Sequence, residues 1–338
     1  MVVTFGEIMM RLSTPGYKRL SQTRQLNICF GGAEANVAVS LCNYGTPARF
    51  VTALPDNLLG TACLSELRSF GVDVSKIQTR PGRLGVYYYE RGAAQRPAQV
   101  IYDRAGSVFS QMHVSDFDWD DILDGADWFH FTGITPALGG ELTKSVFSAS
   151  KAAKEKGITV SFDLNYREKL WSIEDARAAV TELMPYVDIL ITNESQAAKI
   201  FGYRDLHEDS VGKPIDREEC RVLAEKLAER FSLSKVTLTM RESVAAEQNN
   251  FSALLYDGRE TVFSPQYNIQ MIDRIGSGDS FAGGLIHALR GGKQSSDAVN
   301  FAAAAACLKH SIEGDFNTVS EAEVRALASG GGSGCIQR

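Results

Sequence analysis

Short apolar runs alternate along the chain with longer stretches in which apolar residues recur at helical spacing. In the stretch 33–44, Val37, Leu41 and Tyr44 fall at positions i, i+4 and i+7, so they share one face of a helix. The short apolar runs, bounded by turn residues, are typical of buried strands. This pattern predicts strands at 2–8, 49–54, 128–134, 159–162, 188–192 and 236–240, and helices at 33–44, 58–70, 141–156, 173–186 and 217–231.

The alternation of strands with helices predicts an α/β fold in which a mostly parallel sheet is covered by helices on both faces. In such sheets, ligands bind beyond the carboxyl ends of the strands. Polar residues collect at those ends: Asp163 and Asn165 follow one predicted strand, and Asn193 follows another. The region 279–327, with an alanine run at 302–306, is predicted to be helical.

Two segments interrupt this alternation. The first, about 11–31, is rich in turn residues, and the second, about 83–107, contains the strand-like runs 86–90 and 98–102. We expect both segments to form antiparallel strands outside the main sheet, as a small β-sheet lid. The chain is therefore predicted to be one domain over residues 1–338 that carries this lid.

Composition narrows the class of protein. The chain has 338 residues, of which 44% are hydrophobic and 22% charged, as in ordinary globular proteins. Its net charge of −6 disfavours a dedicated nucleic-acid binder, so a phosphorylated ligand would need a local source of positive potential. No apolar run reaches the roughly 18 residues of a membrane-spanning helix. Six dispersed cysteines and the lack of a signal-peptide pattern favour a cytoplasmic protein.

The sharpest motif is a glycine-rich turn that opens a predicted helix, reading Asp-Arg-Ile-Gly-Ser-Gly-Asp over 273–279. Glycines let successive backbone N–H groups converge, and the helix N-terminus adds a positive dipole, so Gly276, Ser277 and Gly278 predict an anion site. Asp279 inside such a site fits a base that takes a proton beside a bound phosphate. The alternative is that Asp279 or Ser277 simply caps the helix.

Other motifs with a known mechanism are not present in the sequence. The turn is not a dinucleotide-binding fingerprint, because Phe281 stands where the third glycine belongs. There is no G-x-x-x-x-G-K-[ST], H-E-x-x-H or G-x-S-x-G motif, and the five histidines are dispersed. A dehydrogenase and a histidine metal centre are therefore disfavoured.

Three further motifs could bind a polar ligand. The paired glycines of 31–36 precede a helix, where Gly32 lets the backbone approach a ligand and Asn36 can bond a polyol hydroxyl. Tyr102 and Arg104 are two apart on a predicted strand and share one face. Arg167, after the strand 159–162, can clamp a carboxylate or phosphate. The alternatives are a tight turn, a solvated strand face and a surface ion pair of Arg167 with Glu168 or another acid.

Taken in order, the 31–36 motif, Asn193 and the 276–279 turn resemble the ribokinase-like (PfkB) sugar kinases over nearly the whole chain. The late turn is similar to the family's D-T-x-G-A-G-D signature, with Arg274 and Ser277 replacing commoner residues. The runs 102–105, 165–171 and 308–317 most resemble the 2-keto-3-deoxygluconate kinases of this family.

The resemblance implies a set of roles. Asp279 would be the base that activates the terminal hydroxyl of the sugar, and Gly276, Ser277 and Gly278 would form the anion hole. The residues implied for the sugar are Gly32, Asn36, Tyr89 (or its neighbours Tyr87 and Tyr88), Tyr102, Arg104, Arg167 and Asp315. Those implied for the nucleotide are Asn165, Asn193, Thr239 and Arg241, together with Gly276 and Gly278. Two arginines suit the carboxylate of a sugar acid better than a neutral hexose.

The resemblance also implies ATP, Mg²⁺, a monovalent cation such as K⁺ near the anion hole, and a homo-oligomer. The sequence departs from the family in two places. Gln196 stands where a glutamate usually contacts Mg²⁺ through water, so Glu194 could help instead. The usual nucleotide-binding glycine turn is not evident in the polar stretch 241–250.

These observations predict ATP-dependent phosphorylation of 2-keto-3-deoxygluconate to 2-keto-3-deoxy-6-phosphogluconate. The alternatives are a fructokinase-like or other sugar kinase of the same fold and, as a different class, a non-catalytic sugar sensor.

Overall fold

The computed structural model describes residues 1–203 and 215–331. Cys335 lies outside these residues. The strands are β1 (Val2–Phe5), β2 (Met9–Ser13), β3 (Asn27–Gly31), β4 (Ala48–Val51), β5 (Ala53–Pro55), β6 (Gln78–Arg80), β7 (Gly85–Glu90), β8 (Gln99–Asp103), β9 (Trp128–Thr132), β10 (Thr159–Asp163), β11 (Ile189–Asn193), β12 (Lys235–Ala245), β13 (Gln248–Tyr256), β14 (Thr261–Phe263) and β15 (Tyr267–Gln270).

The α-helices are α1 (Ala33–Asn43), α2 (Leu58–Ser69), α3 (Trp119–Ile122), α4 (Gly140–Glu155), α5 (Ile173–Leu183), α6 (Glu194–Phe201), α7 (Arg217–Phe231), α8 (Ser277–Arg290), α9 (Ser295–Lys309) and α10 (Glu321–Ala328). Short 3₁₀ turns lie at Leu20–Gln22, Phe109–Gln111, Val114–Asp116, Pro136–Leu138 and Met184–Tyr186. The five helices predicted from apolar spacing are confirmed, with ends that differ by no more than a few residues.

The main sheet contains nine strands, in the order β14-β13-β12-β11-β10-β9-β1-β4, with β15 also paired to β13. The neighbouring strands β12, β11, β10, β9, β1 and β4 pair in parallel. Strands β13, β14 and β15 add an antiparallel edge. Helices α1, α2, α8, α9 and α10 contribute to one core, and α3 to α7 contribute to the other. The predicted α/β class is therefore confirmed, and burial on both faces explains why the central strands are rich in apolar residues.

The alanine run 302–306 allows α8 and α9 to pack closely. All five alanines are buried. A Cβ added to Gly284 on α8 would lie 3.1 Å from the Cα of Ala302 and 3.1 Å from the Cβ of Ala305. Small residues on both helices thus bring their backbones together behind the sheet.

One predicted strand needs correction. The run 49–54 is not one strand, because β4 pairs with β1 in the main sheet whereas β5 pairs with β6 in a separate two-stranded sheet. In the polar stretch 241–250, where the sequence shows no evident glycine turn, β12 and β13 form an antiparallel hairpin. Polar side chains fit there because a hairpin that leaves the core exposes part of its length to water.

A second sheet of four strands, in the order β3-β2-β7-β8, arises from the two segments that interrupt the alternation. Pairs β2–β3 and β7–β8 are antiparallel, as predicted, but β2 and β7 pair in parallel. The prediction of antiparallel strands throughout is therefore wrong for this central pair, because β2 and β7 come from distant segments and no hairpin constrains their direction. Ile28 and Ile101 are 64% and 54% exposed on this sheet.

Within residues 1–203 and 215–331, no helix is long and apolar enough to cross a membrane. The five cysteines in these ranges are free thiols.

Candidate active site

A cavity of about 340 Å³ lies at the carboxyl ends of β10 and β11, between the four-stranded sheet and the N-terminus of α8. Most of the predicted functional residues line it, although they come from distant parts of the chain. They are Gly32, Asn36, Tyr102, Arg104, Asn165, Arg167, Asn193, Gln196, Thr239, Arg241, Gly276, Ser277, Gly278, Asp279 and Asp315. Tyr89 and Glu194 are not part of this lining.

The glycine-rich turn forms the N-terminus of α8. Gly276 is the residue before the helix and has φ +80°, a left-handed conformation that favours glycine. A Cβ at Gly276 would lie 2.2 Å from the backbone oxygen of Asp315, so this position also lacks room for a side chain. The N–H groups of the first helical turn have no partners within the helix and are available to an anion.

Asp279 is placed in this first turn with its carboxylate in the cavity. Its Oδ2 accepts a hydrogen bond of 2.6 Å from Nδ2 of Asn36. Burial raises the pKa of Asp279 to about 6, and the Asn36 hydrogen bond and the charge of Arg167 oppose that rise. Neither Asp279 nor Ser277 caps α8 in the described structure, so the capping interpretation is not supported.

The glycine pair at 31–32 brings strand β3 against the start of α1. A Cβ at Gly32 would lie 2.0 Å from the backbone oxygen of Glu7, and one at Gly31 would lie 2.0 Å from Oδ2 of Asp315. Close backbone approach therefore requires glycine at both positions. The same approach places Asn36 on α1 where it reaches Asp279 across the cavity. The tight turn therefore also brings Gly32 and Asn36 into the lining of the cavity.

Arg104, which directly follows β8, reaches the cavity but already has a partner. Its Nε donates to Oε2 of Glu7 at 2.8 Å, and Ser107 Oγ donates to the other oxygen of the same carboxylate. Glu7, which the sequence analysis did not single out, also lines the cavity. Arg104 and Glu7 therefore present a nearly neutral pair to a ligand.

Arg167 is placed differently. Its Nη1 donates to the backbone oxygen of Tyr166 at 3.1 Å, and among residues 1–203 and 215–331 no carboxylate lies within ion-pair distance of it. The suggested surface pair with Glu168 is therefore not found. The positive charge of Arg167 instead acts on Asp163 and Asp279, because it opposes the rise of the pKa of both carboxyls.

Tyr87, rather than Tyr89, reaches the cavity from β7. Its hydroxyl donates to Oδ2 of Asp315 at 2.6 Å. Tyr89 is buried with its ring under the guanidinium of Arg11, 4.4 Å from ring centre to Cζ. Residues 87 and 89 share one strand face, but of these two only Tyr87 lines the cavity, so among the three tyrosines named from the sequence Tyr87 has the placement expected of a sugar contact.

Arg11, on β2, holds the carboxylates of Asp273 and Asp315 beside the cavity. Its Nη2 donates to Asp273 Oδ2 at 2.6 Å, and its Nη1 donates to Asp315 Oδ1 at 3.0 Å. All three side chains are almost fully buried. The pair of carboxylates on one guanidinium joins β2 to the turn before α8 and to the loop after α9.

A further part of the cavity lining is formed by Asn165, Asn193, Thr239, Arg241 and Arg274. Asn193 Oδ1 accepts from the backbone N–H of Gln196 at 2.9 Å and thereby begins α6. Burial and the nearby charge of Arg274 together lower the pKa of Arg241 to about 10. Two neighbouring guanidinium groups supply the local positive potential that the acidic chain needs for a phosphorylated ligand.

Comparison with known proteins agrees with this arrangement. The model of the pfkB family carbohydrate kinases matches residues 1–321. This chain belongs to the pfkB family of carbohydrate kinases. Its cavity combines residues of the Gly31–Asn36 motif with the 276–279 turn.

Three relatives illustrate the range of the pfkB kinases. The 2-dehydro-3-deoxygluconokinase of Thermotoga maritima is 48% identical, with a TM-score of 0.92 and coverage of 97% of this chain and 98% of that chain. The 2-dehydro-3-deoxygalactonokinase of Haloferax volcanii is 36% identical over 98% of each chain. Fructokinase-1 of Oryza sativa subsp. japonica is 26% identical over 97% of each chain.

Gln196 and Glu194 are the two residues that the family resemblance suggests for contact with Mg²⁺. Gln196 lines the cavity, and its Oε1 accepts from the backbone N–H of Tyr166 at 3.1 Å, which leaves one lone pair for a metal-bound water. Glu194 does not line the cavity, and burial raises the pKa of its carboxyl to about 7. Within the described residues, no group of three or more metal-ligating side chains comes together. The donors fit a water-mediated contact from Gln196.

Sequence analysis missed Glu7, Arg11, Asp273 and Lys309 as parts of this site. Arg11 lies in a segment predicted as lid, and Asp273 begins the motif around the turn, so both were close to a signal. Glu7 carries no local signature, and Lys309 lies in the run 308–317, where no local signal indicates that it neighbours the turn. Their roles depend on contacts with residues far away in the chain.

Proposed function

We propose that this pfkB kinase transfers the γ-phosphoryl group of ATP to 2-keto-3-deoxygluconate and forms 2-keto-3-deoxy-6-phosphogluconate. One observation carries the proposal: the half-buried carboxylate of Asp279 lies at the N-terminus of α8, in the same cavity as Arg167, which has no carboxylate partner in the described residues. The names of the relatives that are 48% and 36% identical support a 2-keto-3-deoxy sugar acid as substrate.

In the proposed reaction, Asp279 accepts the proton of the O6 hydroxyl while O6 attacks the γ-phosphorus. The new O–P bond forms as the bond from the γ-phosphorus to the bridging oxygen breaks, and ADP leaves with that electron pair. The N–H groups of Gly276, Ser277 and Gly278 hold the charged phosphoryl oxygens. A pKa of about 6 leaves Asp279 mostly ionised at neutral pH but still able to hold a proton.

The sugar acid is proposed to lie between the four-stranded sheet and α1. Its carboxylate would pair with Arg167, which has no carboxylate partner in the described residues. Arg104 would contact the second oxygen of that carboxylate while keeping its hydrogen bond to Glu7. The remaining polar groups, from Gly32, Asn36, Tyr87, Tyr102 and Asp315, would bind keto and hydroxyl oxygens.

ATP is proposed to occupy the end of the cavity formed by Asn165, Asn193, Thr239 and Arg241, with Arg274 as an additional phosphate contact. Mg²⁺ would arrive on the nucleotide phosphates and neutralise part of their charge. Gln196 would accept a hydrogen bond from a metal-bound water.

Several broader expectations remain part of this proposal. They are a single domain over the whole chain, a lid function for the four-stranded sheet, a homo-oligomer and a cytoplasmic location. The exposed apolar side chains of the four-stranded sheet and the free thiols are the observations that support the last two.

A fructokinase-like activity is the second candidate. The Arg104–Glu7 pair favours it, because a guanidinium that is already neutralised does not require a charged substrate. Under this alternative, Arg167 would serve the nucleotide or the transferred phosphoryl group.

The test is an assay of ADP release with ATP and Mg²⁺. The panel contains 2-keto-3-deoxygluconate, its C4 epimer 2-keto-3-deoxygalactonate, gluconate, fructose and ribose. A strong preference for either keto-deoxy acid is expected, and the ratio of the two reports recognition at C4. Turnover of fructose alone would retain the kinase and overturn the sugar-acid assignment. Sugar binding without ADP release from any substrate would favour the sensor alternative.

A further inference from the structure

Lys309, the last residue of α9, is fully buried at 0% exposure behind the anion-hole turn. Its Nζ donates to the backbone oxygens of Ile312 at 3.1 Å and Gly314 at 2.8 Å. A lysine at a helix end commonly bonds the last carbonyls of its own helix or extends into water. Lys309 instead bonds carbonyls of the loop that follows α9, so this loop folds around the ammonium.

The ammonium lies directly behind the turn that carries the proposed anion hole. A Cβ at Gly276 would lie 3.3 Å from Cε of Lys309, so the lysine stem and the Gly276 backbone are neighbours. Two hydrogen bonds hold the adjoining loops together. Asp273 Oδ2 accepts from the backbone N–H of Gly314 at 3.2 Å, and the backbone N–H of Ile272 donates to the backbone oxygen of His310 at 2.8 Å. The position of Gly276 is thus coupled to the loop that Lys309 organises.

The charges around Lys309 favour a cation at this point. Asp273 and Asp315 share the single guanidinium of Arg11, and the carboxylate of Asp279 is a third negative charge nearby. Burial lowers the pKa of Lys309, while the charges of Asp273, Asp315 and Asp279 oppose that shift and favour the ammonium. Arg11 alone would leave this buried group of charges negative, which would repel a phosphate.

The monovalent cation expected from the family resemblance would require free carbonyl oxygens near the anion hole. Around Lys309, the carbonyls of Ile312 and Gly314 are already bound to the ammonium. An ammonium and a potassium ion carry the same charge and prefer the same oxygen donors, so the two cannot occupy one set of carbonyl oxygens together.

We propose that Lys309 is the built-in monovalent cation of this kinase: its ammonium holds the 312–314 carbonyls and places a positive charge behind Gly276, so that catalysis needs no added K⁺. Lys309 is a positioning residue, because it acts on the phosphoryl group through the Gly276–Gly278 backbone. The catalytic part of this inference rests on the proposed kinase function, whereas the cation-binding part does not.

The first experiment compares the wild-type protein in tetramethylammonium chloride and in KCl, NaCl and NH₄Cl at one ionic strength. ATP is supplied as its tetramethylammonium salt, and ADP is measured by chromatography so that no coupling enzyme experiences the change of cation. We expect kcat and the melting temperature of the wild type to be the same in all four salts. Activation by K⁺ of about tenfold, or a K⁺-specific rise in the melting temperature, would overturn the proposal.

The second experiment replaces the cation. Lys309→Ala, measured in tetramethylammonium chloride, should lose about 10²–10³ in kcat, the scale of losing an anion-hole donor. K⁺, NH₄⁺ or ethylammonium should restore at least about tenfold of that loss and raise the melting temperature of this variant alone. Lys309→Met fills the space with a neutral stem and should not respond to any of these cations. Lys293→Met, at an exposed lysine, is the matched control and should behave as wild type.

The melting temperatures report cation binding with no sugar present, so they test this inference even if the kinase assignment is wrong. Equal kcat and equal melting behaviour of Lys309→Ala and wild type in all salts would contradict the proposal. If Lys309→Ala does not fold, the salt series on the wild type still decides, and recovery of folded protein only in K⁺ would support the inference.

Discussion

The two ends of the cavity differ in how firmly their side chains are held. Around the start of α8, Arg11, Asp273 and Asp315 are buried and Asp279 is half-buried, and each has partners from distant segments. On the four-stranded sheet, Tyr102 is 41% exposed and its neighbour Ile101 is 54% exposed. The carboxylates around the start of α8 are thus held by fixed partners, whereas the edge strand β8, which carries the proposed sugar contact Tyr102, is more accessible.

This contrast suggests a division of labour. Under the proposed function, preorganised groups at the α8 end would contribute to catalysis because they need no rearrangement as charge develops. Contacts on the four-stranded sheet can change with less effect on the fold, which fits a family whose relatives include fructokinases and sugar-acid kinases. Changes at the α8 end should therefore affect turnover, and changes at the other end should affect substrate choice.

The largest effect is expected for Asp279→Asn. The amide keeps the shape of the side chain but cannot accept the proton of the sugar hydroxyl, so kcat should fall by about 10²–10⁴ while the KM for sugar changes little. Steady-state kinetics measure both. Asp297→Asn, at an exposed aspartate, is the control. An unchanged kcat in Asp279→Asn would exclude the role of Asp279 as base.

A matched glycine pair tests the turn itself. At Gly276, an added Cβ would collide with the backbone oxygen of Asp315 and strain a φ of +80°, so Gly276→Ala should lower kcat by about 10²–10³ and lower the melting temperature. At Gly278, an added Cβ would meet no atom of another segment within 4 Å, so Gly278→Ala should keep the melting temperature of the wild type, whatever its methyl group does to a ligand in the cavity. Similar losses of melting temperature in the two variants would show that backbone geometry at Gly276 is not special.

The two arginines should separate recognition from stability. Arg167→Ala removes a cation that can pair with substrate and should lower kcat/KM on the keto-deoxy acid about 10- to 150-fold, while changing turnover of fructose little. Arg104→Ala leaves the buried carboxylate of Glu7 without its cation and should lower the free energy of unfolding by about 3–5 kcal/mol. Chemical denaturation and kinetics on both sugars distinguish these outcomes. Equal loss on acid and neutral sugars in Arg167→Ala would contradict the proposed carboxylate contact.

The pH dependence provides a smaller and reversible effect. Because burial raises the pKa of Asp279 to about 6, its base form is present above that pH and is lost below it. We expect kcat/KM to be level at neutral pH and to fall about tenfold per pH unit below about 6. The residual activity of Asp279→Asn should lack this acid limb. Persistence of the limb in that variant would assign it to another group, such as Asp163, whose pKa burial raises to about 7.

The smallest difference is expected between two tyrosines on one strand. Tyr87→Phe removes the hydroxyl that donates to Asp315 and should cost about 1–3 kcal/mol of folding stability, with a weaker KM for sugar. Tyr89→Phe keeps the ring that packs on Arg11 and should be close to wild type. Thermal melts and sugar titration compare them. The reverse order would restore Tyr89 as the sugar contact.

Local patterns predicted the elements that depend on local properties. Apolar spacing located the five helices and the central strands, since a side-chain period is a property of neighbouring residues. It did not reveal that 49–54 divides between two sheets, or that β2 and β7 pair in parallel, because strand partners are chosen by contacts across the chain. Residues 87 and 89 have the same parity, so sequence could not distinguish which one reaches the cavity.

By itself, the sequence determined the α/β class, the glycine turn before α8 and the prediction of Asp279 as its base, because glycine content, charge and spacing act within a few residues. Only the tertiary structure decided which charges are already neutralised. It paired Arg104 with Glu7, left Arg167 without a carboxylate partner in the described residues and joined Arg11 to Asp315 across 304 positions. It also placed Lys309 behind Gly276. Burial and pairing depend on distance in space, and only folding brings these distant segments together.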